Sequence, residues 1–395
     1  MMLLFGDHAL DTDRCELRRG SELVALEPQV FDLLVYLVQN RDRVVTKDDL
    51  IATVWKGRIV SDSTLTSRIN AVRKAVADSG DEQRLIRTIP RKGLRFVGQV
   101  NESVQRGGDV TAGSAARLQQ RIRFCTASDG VRIAYADVGQ GPPLVKTANW
   151  LNHLEYDWQS PIWSHLLHAF AAKHRLIRYD ARGNGLSDWE AEDISLEAFM
   201  RDLESVVDAV GLDRFPLLGV SGGCAVAISY AVRHPERVTH LVLYGGFARG
   251  VRKRGSREQI EQSDALRTLV LQGWGQENPA FRQIFTSQFM PGGTSEQTQW
   301  FNDLQRITTS PENAVRRLRA TAEIDIEQLL PQVRTPTLVM HCRGDARVPF
   351  EEGRRLAAGI KDARFVALEG RNHLILESEP AWARFLDEID GFLAG

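Results

Sequence analysis

Cysteine is scarce in this chain. Its four residues, Cys15, Cys125, Cys224 and Cys342, stand far apart without a C-x-x-C pair, which excludes a disulfide framework and a cysteine-type zinc site and leaves reduced, mostly buried thiols. Long apolar runs are missing too. None approaches the roughly 18 to 20 consecutive residues of a membrane span, and the opening stretch MMLLFGDHALDTDR has no basic segment before its short apolar patch. A cytoplasmic location with no membrane partner is the expectation. Metal-ligand spacing is absent among the nine histidines, so neither a metal nor a cofactor is expected. Net charge is close to absent, at −1, while 43% apolar and 26% charged residues describe a globular chain whose 395 residues exceed one ordinary core.

The near-neutral total conceals a local imbalance. Residues 1–50 hold six Lys/Arg against ten Asp/Glu, a balance of −4, whereas residues 51–100 hold ten against four, a balance of +6. A basic half beside an acidic one is the electrostatic footprint of a polyanion partner. Residues 101–120, NESVQRGGDVTAGSAARLQQ, follow neither the helical nor the strand period. They read as a linker between one domain over residues 1–100 and another over 121–395.

In the first domain, LLFGDHALDTDRCELRRGSELVAL alternates short β-like runs with turn clusters. QVFDLLVYLVQN spaces Val30, Leu33, Leu34 and Leu37 along one helical face, and TKDDLIATVW starts with Thr46 as its N-cap. In SDSTLTSRINAVRKAV, Leu65, Ile69, Val72 and Val76 form an apolar stripe. The opposite face carries Ser63, Ser67, Asn70 and Lys74, flanked by Thr66, Arg68 and Arg73. RLIRTIPRKGLRFVGQV places two β-like runs around Pro90-Arg91-Lys92-Gly93, a hairpin with a basic tip. In this order the elements resemble the OmpR-type winged helix-turn-helix domain, over nearly all of residues 3–100. The resemblance implies double-stranded DNA as partner, with the third helix in the major groove. Ser63, Thr66, Ser67, Arg68 and Asn70 are then the base-edge candidates, and Arg73, Lys74, Arg91, Lys92 and Arg95 the phosphate contacts. Domains of this kind commonly work in pairs, so a homodimer is expected.

From IRFCTASDG onward, β-like runs alternate with helical stretches, the pattern of a mostly parallel sheet flanked by helices. LLGVSGGCAV sets Ser221 in G-x-S-x-G between the strand FPLLGV and the helix CAVAISYAVRHP. Together with RYDARGNGLSD and HPERVTHLVL, this stretch resembles the α/β-hydrolase fold from about residue 121 to the C-terminus. A serine at a sharp strand-to-helix turn projects its hydroxyl from the sheet edge, and the Gly222 amide stands where an oxyanion would be held. The resemblance implies Asp345, in GDARVP, as the acid and His373, in LEGRNHLILESEP, as the base. Where many members carry His-Gly after the first parallel strand, this chain has Ala148-Asn149-Trp150. A main-chain amide of Asn149 or Trp150 is the expected second oxyanion donor, with Trp150 narrowing the pocket. The long insertion at about 248–330 reads as a helical cap. Trp274, Phe285, Phe289 and Trp300 from the cap, with Trp150, are the expected lining of a pocket for a small, apolar ester, lactone or amide.

Three readings remain. A one-component transcriptional regulator would bind DNA through its winged helix and sense, and slowly hydrolyse, a small molecule in the second domain. A serine hydrolase, esterase or lactonase, would use the first domain as an accessory. An inactive scaffold would use both for protein contacts. A DNA-binding module joined by a short linker to a ligand-sized domain ranks the regulator first.

Overall fold

The computed structural model describes residues 2–12, 16–20, 22–24, 26, 28–54, 62–79, 82–90, 92–103, 118–276 and 278–395. The chain divides into two units, Met1–Gly113 and Ser114–Gly395.

In the first unit, β1 (Met2–Phe5), β2 (His8–Asp11), β3 (Glu16–Arg19) and β4 (Glu22–Val24) form an antiparallel meander. Helices α1 (Pro28–Gln39), α2 (Lys47–Thr53) and α3 (Asp62–Ala75) follow, then the hairpin β5 (Ile86–Ile89) and β6 (Gly93–Phe96). Thr46 caps α2 as expected: its hydroxyl accepts from the Asp49 amide and the Asp49 carboxylate accepts from the Thr46 amide. Val30, Leu33, Leu34 and Leu37 of α1 meet Leu65 and Val72 of α3, together with Val76, in one buried core. At the hairpin, Gly93 has φ +141° and a Cβ there would lie 2.0 Å from the Val45 carbonyl oxygen, so only glycine admits this approach.

One detail differs from the sequence reading. A further strand, β7 (Asn101–Ser103), pairs with the free edge of β1, so the domain runs past residue 100. Asn-Glu-Ser has no strand period; the open backbone edge of β1, not side-chain pattern, recruits it. Of the rest of the expected linker, residues 104–117 lie outside the described residues.

Asp78, which sequence reasoning passed over, fastens α3 to the hairpin. Its carboxylate accepts from the amides of Ser79, Arg84, Leu85 and Ile86 at 2.9–3.0 Å. Burial pushes this carboxyl up, but the backbone donors outweigh it and leave its pKa below the ordinary value. Asp78→Asn therefore costs about 2 kcal/mol or more, because an amide cannot accept at both atoms. Hydrogen exchange at Leu85 and Ile86 is the readout, with faster exchange expected in the variant at pH 7. A depressed carboxylate stabilises above its unfolded pKa, so the difference from wild type closes as the pH falls below about 4.

In the second unit, β8 (Arg121–Thr126), β9 (Arg132–Val138) and β10 (Pro143–Lys146) lead into α4 (Leu154–Trp158) and α5 (Ser164–Lys173). The chain continues through β11 (Arg175–Tyr179), α6 (Leu196–Val210), β12 (Phe215–Val220), α7 (Gly223–Arg233) and β13 (Val238–Tyr244). Five helices, α8 (Val251–Arg254), α9 (Arg257–Gly273), α10 (Ala280–Phe289), α11 (Ser295–Thr308) and α12 (Pro311–Glu323), form the insertion before β14 (Thr337–Cys342). The fold ends with α13 (Phe350–Gly359), β15 (Arg364–Leu368) and α14 (Ala381–Ala394).

The eight strands run in the order β15-β14-β13-β12-β10-β11-β9-β8, parallel from β15 to β11 and antiparallel at β9 and β8. Central strands are apolar on both faces because both are covered. On β12 to β14, Leu218, Val220, Val242, Tyr244, Leu338 and Met340 enter a core shared with α5 and α14. Their alternates, Leu217, Leu241, Leu243 and Val339, enter one shared with α6, α7 and α13. Strand order reverses between β10 and β12, and the crevice beyond the C-terminal ends of strands at such a point is where open α/β sheets bind ligands. Among the described residues no helix is long and apolar enough to cross a membrane.

Candidate active site

Ser221 follows the last residue of β12 and adopts φ +54°, an uncommon conformation for a residue with a side chain. Its amide donates to the Tyr244 carbonyl at 2.9 Å, which ties the turn to β13. Close packing sets the flanking glycine: a Cβ on Gly223 would stand 2.5 Å from Thr147 Oγ1 and 2.7 Å from the Ala148 carbonyl oxygen. The turn and the β10 loop can approach only because that side chain is absent.

Asp345 lies three residues beyond β14 and His373 five beyond β15, so both reach the same sheet edge as Ser221. His373 Nδ1 is 2.7 Å from Asp345 Oδ2, and Nε2 is 2.8 Å from Ser221 Oγ. A carboxylate only accepts, so the neutral imidazole carries its proton on Nδ1, and the serine hydroxyl donates to Nε2. Burial pushes the Asp345 carboxyl up, yet His373, His341 and the Val348 amide together hold it well below the usual carboxylate range. Its other oxygen accepts from the Arg347 and Val348 amides at 2.8 and 2.9 Å. An ionised acid fixed on both oxygens orients the base, and the base faces the hydroxyl it would deprotonate.

The cap reaches this constellation directly. The His373 amide donates to the Phe289 carbonyl at the end of α10, and the Phe289 ring stands edge-on to the imidazole. His341, which lacks metal-ligand spacing like the other histidines, is fully buried with Nε2 donating to the Val348 carbonyl and lying 3.4 Å from Asp345 Oδ2. Its place at the end of β14, four residues before the acid, was the available signal.

Gly222 is the N-cap of α7, at the end of the helix where the first amides have no intrahelical acceptor. Opposite it, the Ala148-Asn149-Trp150 loop is held at every polar atom of the Asn149 side chain. Lys146 Nζ donates to Asn149 Oδ1 at 2.6 Å, Asn149 Nδ2 donates to the Leu151 carbonyl, and Arg317 donates to the Asn149 carbonyl at 2.8 Å. Lys146 is itself buried over the Trp163 ring, and burial lowers its pKa to about 8. It acts through Asn149 as a positioning residue for the loop. Lys146→Met is expected to lower kcat for an ester about 10- to 100-fold with KM changed far less; equal loss in both would reduce it to a fold element.

The pocket over Ser221 has a volume of about 480 Å³. Of the five residues expected to line it, Trp150 and Phe289 do. Trp274, Phe285 and Trp300 do not. Trp274 is buried with Nε1 donating to the Thr309 carbonyl, Phe285 packs against Trp150 and Phe289, and Trp300 stacks on Tyr156. A helical insertion must bury its own apolar faces first, so the cap's aromatic side chains build its core. What it turns to the pocket is mixed, with Gln259, Gln262, Ser263, Gln288 and Arg317 beside Val251, Leu266, Leu318 and Ile324, so polar groups join the expected apolar ones.

On the first unit, Thr66, Ser67, Asn70 and Lys74 stand exposed along α3, with Arg68 half-buried, and Lys92 and Arg95 are exposed on the hairpin. Arg73 is a correction: it is buried, and its guanidinium donates to Thr88 Oγ1 at 2.8 Å and to the Ile86 carbonyl. Adjacent to Val72 on the helix, it is drawn in by the hairpin and serves the fold. The Ser63 side chain, Arg91 and Cys15 lie outside the described residues. Cys224 and Cys342 are buried and unbridged, with burial raising their thiols to about 12 and about 11.

Residues 20–96 match the family described as the C-terminal domain of transcriptional regulatory proteins, and residues 151–380 match the alpha/beta hydrolase fold family. The AB hydrolase superfamily protein YisY of Bacillus subtilis (strain 168) is 27% identical over 262 residues, 63% of this chain and 91% of its own length. Among solved structures, the bromoperoxidase of Bacillus anthracis superposes with a TM-score of 0.59 at 22% identity, covering 70% of this chain and 100% of its own. The esterase RhEst1 of Rhodococcus sp. ECU1013 does so with 0.58 at 25%, covering 69% and 98%.

Proposed function

This chain belongs to the α/β-hydrolase fold family and carries a DNA-binding regulator domain ahead of that fold, and from that premise we propose a one-component transcriptional regulator whose second domain binds and hydrolyses a small carbonyl compound. The observation that carries the hydrolytic half is the unbroken chain from Ser221 Oγ through His373 to Asp345, at 2.8 and 2.7 Å. His373 Nε2 takes the hydroxyl proton as Oγ attacks the carbonyl carbon. The amide of Gly222, with that of Asn149 or Trp150, receives the oxyanion. His373 returns the proton to the leaving alcohol or amine, and water activated by the same nitrogen then releases the acid from Ser221. Turnover removes the signal, so the protein resets itself.

For the DNA half, α3 and the basic hairpin supply the contacts: Ser63, Thr66, Ser67, Arg68 and Asn70 at base edges, Lys74, Arg91, Lys92 and Arg95 at phosphates. The protein works as a cytoplasmic homodimer on paired half-sites. Selection of duplexes from a random library by the full chain tests this. Enriched sites with two half-sites are expected; no enrichment over a scrambled pool would refute it.

A further inference from the structure

The lining of the pocket over Ser221 is unbalanced in charge. It contains three guanidinium groups, Arg254, Arg317 and Arg347, against one carboxylate, Asp345, which is already committed to His373 and two backbone amides. Arg317 is committed as well, donating to the carbonyls of Asn149 and Arg182 above the Phe199 ring. Arg347 is not. Its side chain donates to the neutral Gln288 Oε1 at 2.6 Å and lies over the rings of Phe285 and Phe289, and among the described residues no carboxylate pairs with it. Among the described residues, Arg254 has one loose carboxylate partner, Glu352, at 3.6 Å. Burial, and then the Arg254 charge nearby, draw the Arg347 pKa down to about 10 against the attraction of Asp345.

We propose that the substrate is a small ester or amide bearing a free carboxylate, and that Arg347, assisted by Arg254, receives this carboxylate while Ser221 attacks the acyl carbonyl. The inference rests on the hydrolase reading of Ser221 and adds the charge of the ligand to it. A planar guanidinium matches a carboxylate with two parallel hydrogen bonds, and within an enclosed site such pairs exceed neutral ones in strength. Hydrolysis of a half-ester then gives a dicarboxylate and an alcohol, with water as the only co-reactant.

The test compares two esters of equal chain length on the full-length protein: mono-p-nitrophenyl glutarate, which is anionic, and p-nitrophenyl valerate, which is neutral. Wild type is expected to favour the anionic ester at least 10-fold in kcat/KM, with KM for that ester alone rising with salt. Arg347→Met should cut the preference 10-fold or more, Arg254→Gln should cut it less, and Arg347→Lys should restore part of it. Equal or better use of the neutral ester by wild type overturns the proposal while leaving the nucleophile reading intact. Turnover of neither ester counts against the hydrolase reading instead, and calorimetry with glutarate then decides the charge question. Binding that weakens at least 10-fold in Arg347→Met supports the anion site; no glutarate binding to wild type overturns it.

Discussion

Ser221→Ala is expected to lower kcat for a p-nitrophenyl ester by about 10⁴-fold or more, with His373→Ala costing a similar amount and the double variant little further. The three residues act as one device, so removing either the nucleophile or its base removes the same step. Asp345→Asn belongs to the same series. An amide facing His373 Nδ1 can turn its NH2 toward the ring, select the wrong tautomer and leave Nε2 protonated, for a loss of about 10⁴-fold in kcat with binding preserved. An ester assay under single-turnover conditions separates these effects from product release. A Ser221→Ala variant that retained wild-type turnover would remove the serine from the chemistry, whatever its geometry.

Affinity of the full chain for duplex DNA is expected to fall by about 10³-fold or more between 50 and 200 mM salt, if six or more phosphates are neutralised. Lys74→Ala and Lys92→Ala should each reduce the slope of log K against log salt by about 0.9 per lost contact. Both residues are exposed, so neither change should disturb folding. Arg73→Ala is expected to behave differently. Its guanidinium is spent on Thr88 and Ile86, so the variant should destabilise the junction of α3 and the hairpin while leaving the salt slope of its folded fraction unchanged. A slope that drops for Arg73→Ala and stays put for Lys92→Ala would reverse this assignment.

These expectations separate what sequence made legible from what only the folded chain reveals. The nucleophile turn was readable because its determinants are local: a β-run, a serine among glycines, a helix. Asp345 and His373 were readable because each follows a recognisable strand, and parallel strands deliver their C-terminal ends to one edge. The lining was not readable. Which face of α9 or α12 turns toward Ser221 depends on how the five helices of the insertion pack, and Trp274, Phe285 and Trp300 look alike in sequence whether they line a cavity or fill a core. Arg347 was closer to hand, since it stands two residues after the acid in GDARVP. Its significance rests on what surrounds its guanidinium, the Phe285 and Phe289 rings and, among the described residues, no paired carboxylate, which is tertiary information. Arg73 misled for the same reason. A helical wheel places it beside the polar face, and only the approach of β5 takes it inside. β7 escaped notice because an edge strand held by backbone pairing needs no apolar alternation.

The central claim is that a DNA-binding chain carries an armed nucleophile at Ser221. The most direct measurement is to treat the full-length protein with a fluorophosphonate and map the adduct by peptide mass spectrometry. One adduct on Ser221 is predicted, absent in Ser221→Ala and strongly slowed in His373→Ala. A wild-type protein that stays unmodified, or is modified at another residue while Ser221 remains free, would contradict the account.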